Sequence, residues 1–361
     1  VIGNGTAPLV ALLSSHDVVV CCGSGGVGKT TVSAALGVAA ARAGQRACVV
    51  TVDPARRLAN ALGVDGLANE PVALSGDWPG ELWAVVLDPK GTFDDLVRAH
   101  AAGDRQAQAI LDNRIYKNLT GALSGTQEYM AMEKLHQLTS SGAYDVVIVD
   151  TPPSRNAVDF LDAPARLTRF LGHRLFQLLL MPTRAYLRAV SVASQALLRT
   201  ISKVAGSEIV DDAVAFFQAF EGMEEGFRRR ASEMQQTLAA PTTAFVLVTS
   251  PRADAVAEAQ WFAQRLQTSG YRVDAVVANR VQPRIAPEGP LPSAPAGTAL
   301  AVLVDNLRST EERRQLDEAA LAPLAAQLPG VPTVLVPVLD DDVHDLDALQ
   351  RIADLLTGPT G

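Results

Sequence analysis

The chain has 361 residues, of which 48% are hydrophobic and 19% charged, with a formal net charge of −8. That composition is soluble and globular and leaves room for one large domain or a domain with an insertion. The acidic balance excludes a general nucleic-acid binder, which carries a basic excess or stripe.

The chain opens on Val1 rather than methionine, so a few residues are expected upstream. The apolar run "APLVALLSSHDVVVCC" has no basic n-region and no cleavage site, and it runs into a glycine-rich loop, so it reads as part of the fold rather than a signal peptide. "DVVVCC" (17–22) has the continuous apolar character of a strand buried on both faces. "KTTVSAALGVAAARAG" (29–44) predicts a helix stopped by Gly44, and "RACVVTVDP" (46–54) a second buried strand. Strand, helix and strand in such close succession form a right-handed βαβ unit with parallel strands. The alternation resumes with strands predicted at 81–89, 144–153, 243–251, 271–280 and 332–340. The expected fold class is therefore α/β, a doubly wound and mostly parallel sheet.

Two regions interrupt the alternation. Residues 92–142 and 157–238 show helical periodicity and no strand, and are expected to form an all-helical subdomain inserted into a single domain spanning 1–361. Residues 282–297 carry five prolines and are expected to be a flexible loop. No stretch has the 18 or so uninterrupted apolar residues of a membrane span, so no stable membrane insertion is expected. Cys21, Cys22 and Cys48 all fall in predicted strands without C-x-x-C spacing, which predicts core thiols of a reducing cytoplasm and no zinc site.

The chemistry is concentrated in "GSGGVGKTT" (23–31). Gly23, Ser24, Gly25, Gly26, Val27, Gly28, Lys29 and Thr30 fit G-x-x-x-x-G-K-[ST] between a strand and a helix, with Thr31 following. Glycines let backbone N–H groups converge on phosphate oxygens at a helix N-terminus. Lys29 would reach the β- and γ-phosphates, and the Thr30 hydroxyl would serve Mg²⁺. Asp150 closes "VVIVD" and Asp53 closes "VVTVD", both at predicted carboxyl ends of strands where open α/β sheets bind ligands. Asp150 is expected to orient the metal. For each acid the alternative is an N-cap on the following segment.

"GGVGKTT" together with "VDPARRLANALG" and "DTPPSRNAVDFLDAP" resembles the arsenite-pump and tail-anchored-protein-targeting ATPases, within the deviant-Walker-A group of P-loop ATPases. "ELWAVVLDP", "GALSGTQEYMAMEKL", "VVANRV" and "VPVLDDDV" match in place and character, so the resemblance covers nearly the whole chain in the family's single-module form. It implies a cytoplasmic ATPase that uses ATP and Mg²⁺. Asp53 would position the hydrolytic water, with switches beginning at Asp53 and Asp150. Asn279 and the loop from Pro337 to Val343, including Leu339, would hold adenine. It further implies a dimer that closes around nucleotide and moves its helical subdomains.

The departures define the alternatives. Ser24 stands where the group's signature lysine reaches across the dimer, and a hydroxyl supplies no charge there. Arg56, Arg57 or Arg155 could replace that cation, or be solvated loop residues; Asn156 beside Arg155 also departs from the usual second switch. The leading expectation is an ATPase that gates a helical surface for a hydrophobic client or protein partner. The apolar segment 170–205 motivates it, and internal packing is that segment's other reading. The second is a weakly hydrolytic regulatory subunit in a heterodimer with a lysine-bearing paralogue. The third is the ATPase subunit of a membrane transporter.

Overall fold

The structure is a computed structural model, and it describes residues 7–52, 57–62, 67, 69–114, 116–117, 126–152, 154–171, 212, 215–216, 219, 222–285, 291–343 and 345–358. Their contacts divide into two compact units. The first comprises residues 1–86, 138–158 and 239–361, and the second 87–137 and 159–238.

The first unit is built on eight strands: β1 (Val18–Gly23), β2 (Arg46–Thr51), β3 (Val72–Leu74), β4 (Glu81–Val86), β5 (Val146–Asp150), β6 (Thr243–Thr249), β7 (Ala275–Val281) and β8 (Thr333–Pro337). Their spatial order is β3-β4-β2-β5-β1-β6-β7-β8. Every pairing is parallel except that of β3 with β4. The fold is thus an α/β, doubly wound sheet. β1, β5 and β6 are buried along their whole lengths, which is why they read as unbroken valine-rich runs rather than alternating ones.

Helix α1 (Ala7–Ser15) arises from the apolar run before β1, for which no element is predicted above. Leu9, Leu12 and Leu13 lie at three- and four-residue spacing and are buried. Helix α2 (Lys29–Arg42) follows the glycine loop, and its Val32, Leu36 and Val38 join Val19, Val49, Ile148 and Val246 in the main core. It ends where Gly44, at φ 87°, supplies a left-handed residue that an L side chain disfavours. The short α3 (Arg57–Leu62) follows β2.

The three-residue β3 lies outside the predicted strands; such a short edge element carries little periodicity. The strand predicted from residue 271 starts at Ala275, because Tyr271 N donates to Leu266 O at the helix end and Asp274 Oδ2 accepts from Phe245 N.

The second unit contains α4 (Pro89–His100), α5 (Asp104–Leu111), α6 (Thr126–Ser140, to Gln137) and α8 (Glu224–Ala239, to Leu238). Between the last two in sequence lies α7 (Ser154–Leu171). The rings of Phe93, Tyr116, His100 and Phe227 form its aromatic centre, with Phe93 and Phe227 edge to face at 6.4 Å. Tyr116 Oη donates to Asp94 Oδ1. Glu133 is fully buried and paired with Arg230 at 3.2 Å. The segment 172–211, with most of the apolar insertion singled out above, lies outside the described residues. The 282–297 loop is described at 282–285 and 291–297.

After β6 the chain forms α9 (Ala253–Thr268), then β7, the 29-residue α10 (Ala299–Gln327), β8 and α11 (Leu346–Thr357). α9 packs on β6, β1 and α10, while α11 packs on α2 and β8. Right-handed crossovers running outward in both directions from β1 place α2 and α9 on opposite faces of the sheet.

Candidate functional site

Strand register assembles the site at the carboxyl edge. Thr51 and Cys21 are each in register with Asp150, on either side of β5. The last residue of β2 therefore lies beside the acid that closes β5. Asp150 is 1% exposed, and its Oδ2 accepts from Thr30 Oγ1 at 2.7 Å and from Thr51 Oγ1 at 2.8 Å. Thr151 Oγ1 donates to Cys21 O at 2.8 Å, tying the end of β5 to β1. A buried carboxylate with two hydroxyl donors is held rigidly at the first turn of α2.

Gly23 leads out of β1 with φ 151°, and a Cβ there would lie 2.0 Å from Val248 O of β6. Only glycine lets the chain leave the sheet so close to that backbone. Gly26 and Gly28 have φ 76° and 93°. A Cβ on Gly28 would fall 2.2 Å from Asn279 Nδ2. The loop delivers Lys29, 7% exposed, whose Nζ donates to Ser24 O at 2.9 Å. Ser24 is 4% exposed, and its Oγ has no hydrogen-bond partner among the described residues.

The end of β7 braces the same loop. Asn279 Nδ2 donates to Val27 O at 2.8 Å, and Arg280 Nη1 donates to Gly26 O at 3.2 Å. Asn279 Oδ1 accepts from the Arg280 backbone N–H at 2.9 Å. Arg280 has φ 61°, a left-handed conformation that a non-glycine residue adopts at a cost and that clusters at functional sites. In a trans peptide the carbonyl and the next N–H point oppositely. With their carbonyls turned to Arg280 and Asn279, the peptides of Gly26 and Val27 aim the N–H groups of Val27 and Gly28 away from β7.

A cleft of about 430 Å³ brings Asn279, Pro337 and Leu339 together with Gly28 and Thr31. A second cleft, of about 490 Å³, lies along Ser24, Gly25, Gly26 and Val27 on the side of Ser250 and Gln282. Thr51 and Arg280 were missed in the sequence; register explains the first, and nothing local signals the second. Asp53 and Arg56 lie outside the described residues, as do the side chains of Arg57, Arg155 and Asn156, although Arg57 opens α3 and Arg155 and Asn156 belong to the first turn of α7.

Cys21, Cys22 and Cys48 are buried thiols, and none forms a disulfide. Burial pushes the Cys21 thiol up to about 12 and Cys22 well above the ordinary thiol range, so both stay protonated at neutral pH. Among the described residues no group of three or more His, Cys, Asp or Glu is placed to hold a metal ion. No described helix is long and apolar enough to cross a membrane.

A family model described as "Anion-transporting ATPase" matches residues 16–358. The "ATPase get3" of Aspergillus niger is 23% identical over 348 residues, covering 93% of this chain and 89% of that protein. The "ATPase get3" of Aspergillus terreus is 29% identical over 160 residues, 42% of this chain and 44% of its own length. The "ATPase GET3" of Ajellomyces dermatitidis is 31% identical over 154 residues, with 42% and 43% covered.

Proposed function

The chain belongs to the anion-transporting ATPase family and is an ATPase, and on that premise we propose that it is a cytoplasmic, Mg²⁺-dependent enzyme whose ATP cycle opens and closes a dimer. Opening and closing would control a helical surface for a hydrophobic client or protein partner. The observation that carries the reading is the Thr30–Asp150–Thr51 constellation, centred on a buried carboxylate, beneath a loop braced by Asn279 and Arg280.

In this reading the loop N–H groups and Lys29 bind the β- and γ-phosphates, Lys29 exchanging its bond to Ser24 O for phosphate oxygens. Thr30 and Asp150 form an all-oxygen pair that suits a hard cation and would hold Mg²⁺, directly or through water. Such an ion, when bound, neutralises charge on the phosphates. Asp53, two residues beyond the end of β2, would orient the attacking water. Adenine would occupy the cleft formed by Asn279, Pro337 and Leu339. Residues 92–142 and 157–238 would form the helical subdomain of a single ATPase domain, and 282–297 a flexible loop. No zinc site and no nucleic-acid partner belong to this reading.

Asp53→Asn should keep ATP binding and abolish hydrolysis; normal turnover would remove Asp53 from the mechanism. The hydrolysis-deficient form held in ATP should bind apolar peptides differently from the ADP form. Absence of such binding in every nucleotide state contradicts the client surface.

The second reading rests on the buried, chargeless Ser24. A regulatory subunit would turn over slowly alone and faster with a lysine-bearing paralogue. Brisk hydrolysis by the chain alone, unchanged by Ser24→Lys, contradicts it.

A further inference from the structure

The long helix α10 presents two unlike faces. Val304, Leu321 and Leu324 are buried, and Leu307, Glu311, Arg314 and Glu318 between them are partly so. A second stripe runs along Val302, Asp305, Asn306, Ser309, Glu312, Arg313 and Leu316, and every one of these residues is exposed. The spacings of three and four keep the stripe on one side of the helix. Its two apolar members are the outermost, Val302 at 59% exposure and Leu316 at 69%, with Leu300 and Leu303 exposed beside the first. At about 1.5 Å per residue α10 is about 43 Å long. β7 and β8, with seven and five residues, extend only about 17–24 Å. The sheet is too short to cover this helix, and its N-terminal half carries only one fully buried side chain.

The stripe is self-complementary about Ser309. Turning the helix over about a two-fold axis through that residue sets Val302 against Leu316, Asp305 against Arg313 and Asn306 against Glu312, twice each. The Arg313 guanidinium makes no hydrogen bond or ion pair among the described residues, whereas Asp305 has Arg308 at 2.8 Å within its own helix. A small residue at the crossing point lets two helices approach closely, and a two-fold contact must use the same patch on both copies. We propose that α10 pairs antiparallel with α10 of a second copy of this chain, with Ser309 on the axis. The proposal rests on the dimer reading above and assigns one of its contact surfaces. A lone helix pair buries less than the roughly 1,200–2,000 Å² of a stable interface, so it sets the register of a wider contact.

Ser309→Cys tests the geometry directly, because a residue on the axis meets its own counterpart. The native cysteines are buried, so the introduced thiol would be the one exposed thiol among the described residues. Diamide takes up two electrons and two protons as the two introduced thiols join, which requires Cα atoms within about 7 Å. Ser309→Cys should give a disulfide-linked dimer in the full-length protein, while Ala319→Cys, a residue outside the stripe, should not. Arg313→Asp should weaken dimerisation about tenfold or more by setting two acids together, measured by sedimentation equilibrium, and Asp305→Arg combined with Arg313→Asp should restore it. If the protein dimerises while the Ser309→Cys variant stays uncrosslinked and Arg313→Asp has no effect, the α10 pairing is overturned and the dimer reading stands. A protein that stays monomeric at all concentrations and in all nucleotide states overturns both.

Discussion

Helices α2 and α10 show how the same fold uses a helix in opposite ways. Every residue of α2 from Val32 to Ala41 is buried, and alanine dominates because β-strands, α1, α3 and α11 crowd it from all sides. α10 is twice as long, yet Val304, Leu321 and Leu324 are its only fully buried residues. α2 is therefore a scaffold that fixes Lys29 and Thr30 at its first turn, and α10 is a surface. Charge and burial separate these roles together, since α2 carries no charged residue between Lys29 and Arg42 while charged residues run through the middle of α10.

The comparison breaks most visibly on truncation. Leu36→Ala in α2 should cost about 2–5 kcal/mol, as expected for a buried leucine that leaves a cavity. Leu316→Ala in α10 should stay within about 0.5 kcal/mol for the monomer. Urea unfolding of dilute protein measures both, and equal losses would mean that α10 is as enclosed as α2.

The next effect lies in the loop between β1 and α2. Gly28→Ala forces a left-handed residue and drives a Cβ into Asn279. It should weaken nucleotide binding by about 1–3 kcal/mol and lower folding stability by a similar order, as read by calorimetric titration and urea unfolding. Asn279→Ala removes one bond to Val27 O and should cost about 0.5–1.5 kcal/mol of the same binding energy. A larger loss than for Gly28→Ala would show that Asn279 contacts nucleotide as well as the loop. The smallest expected response is chemical. With burial holding Cys21 near 12 and Cys22 well above the ordinary thiol range, native protein at pH 8 should resist alkylation of both thiols, which urea should expose. Rapid labelling in buffer would place these strands nearer to solvent than β1 shows.

Legibility in the sequence follows the same division. Unbroken runs such as "VVIVD" and "TAFVLVT" announce buried parallel strands because both faces need apolar side chains. The phosphate loop is legible because glycine at 23 and 28 answers a backbone demand that no other residue meets. The hydroxyl of Thr51 was hidden because its neighbour Asp150 is set by strand order, with β5 inserted between β2 and β1. Arg280 was hidden because its left-handed backbone and its reach to Gly26 depend on where β7 ends against the loop. Asn279 was anticipated as an adenine contact from the resemblance, and the structure adds a bond to the loop that the resemblance did not suggest. α1 escaped because seven apolar residues and two serines ahead of a strand carry only a weak period.

In the proposed function the carboxyl edge of this sheet binds ATP through the loop that α2 anchors. Titration of a fluorescent ATP analogue with Mg²⁺ into wild-type protein and Lys29→Ala tests it most directly. The wild type should bind saturably and the variant at least a hundredfold more weakly, at about 1.4 kcal/mol per factor of ten, with unchanged thermal stability in the absence of nucleotide. Equal binding by both proteins would contradict it.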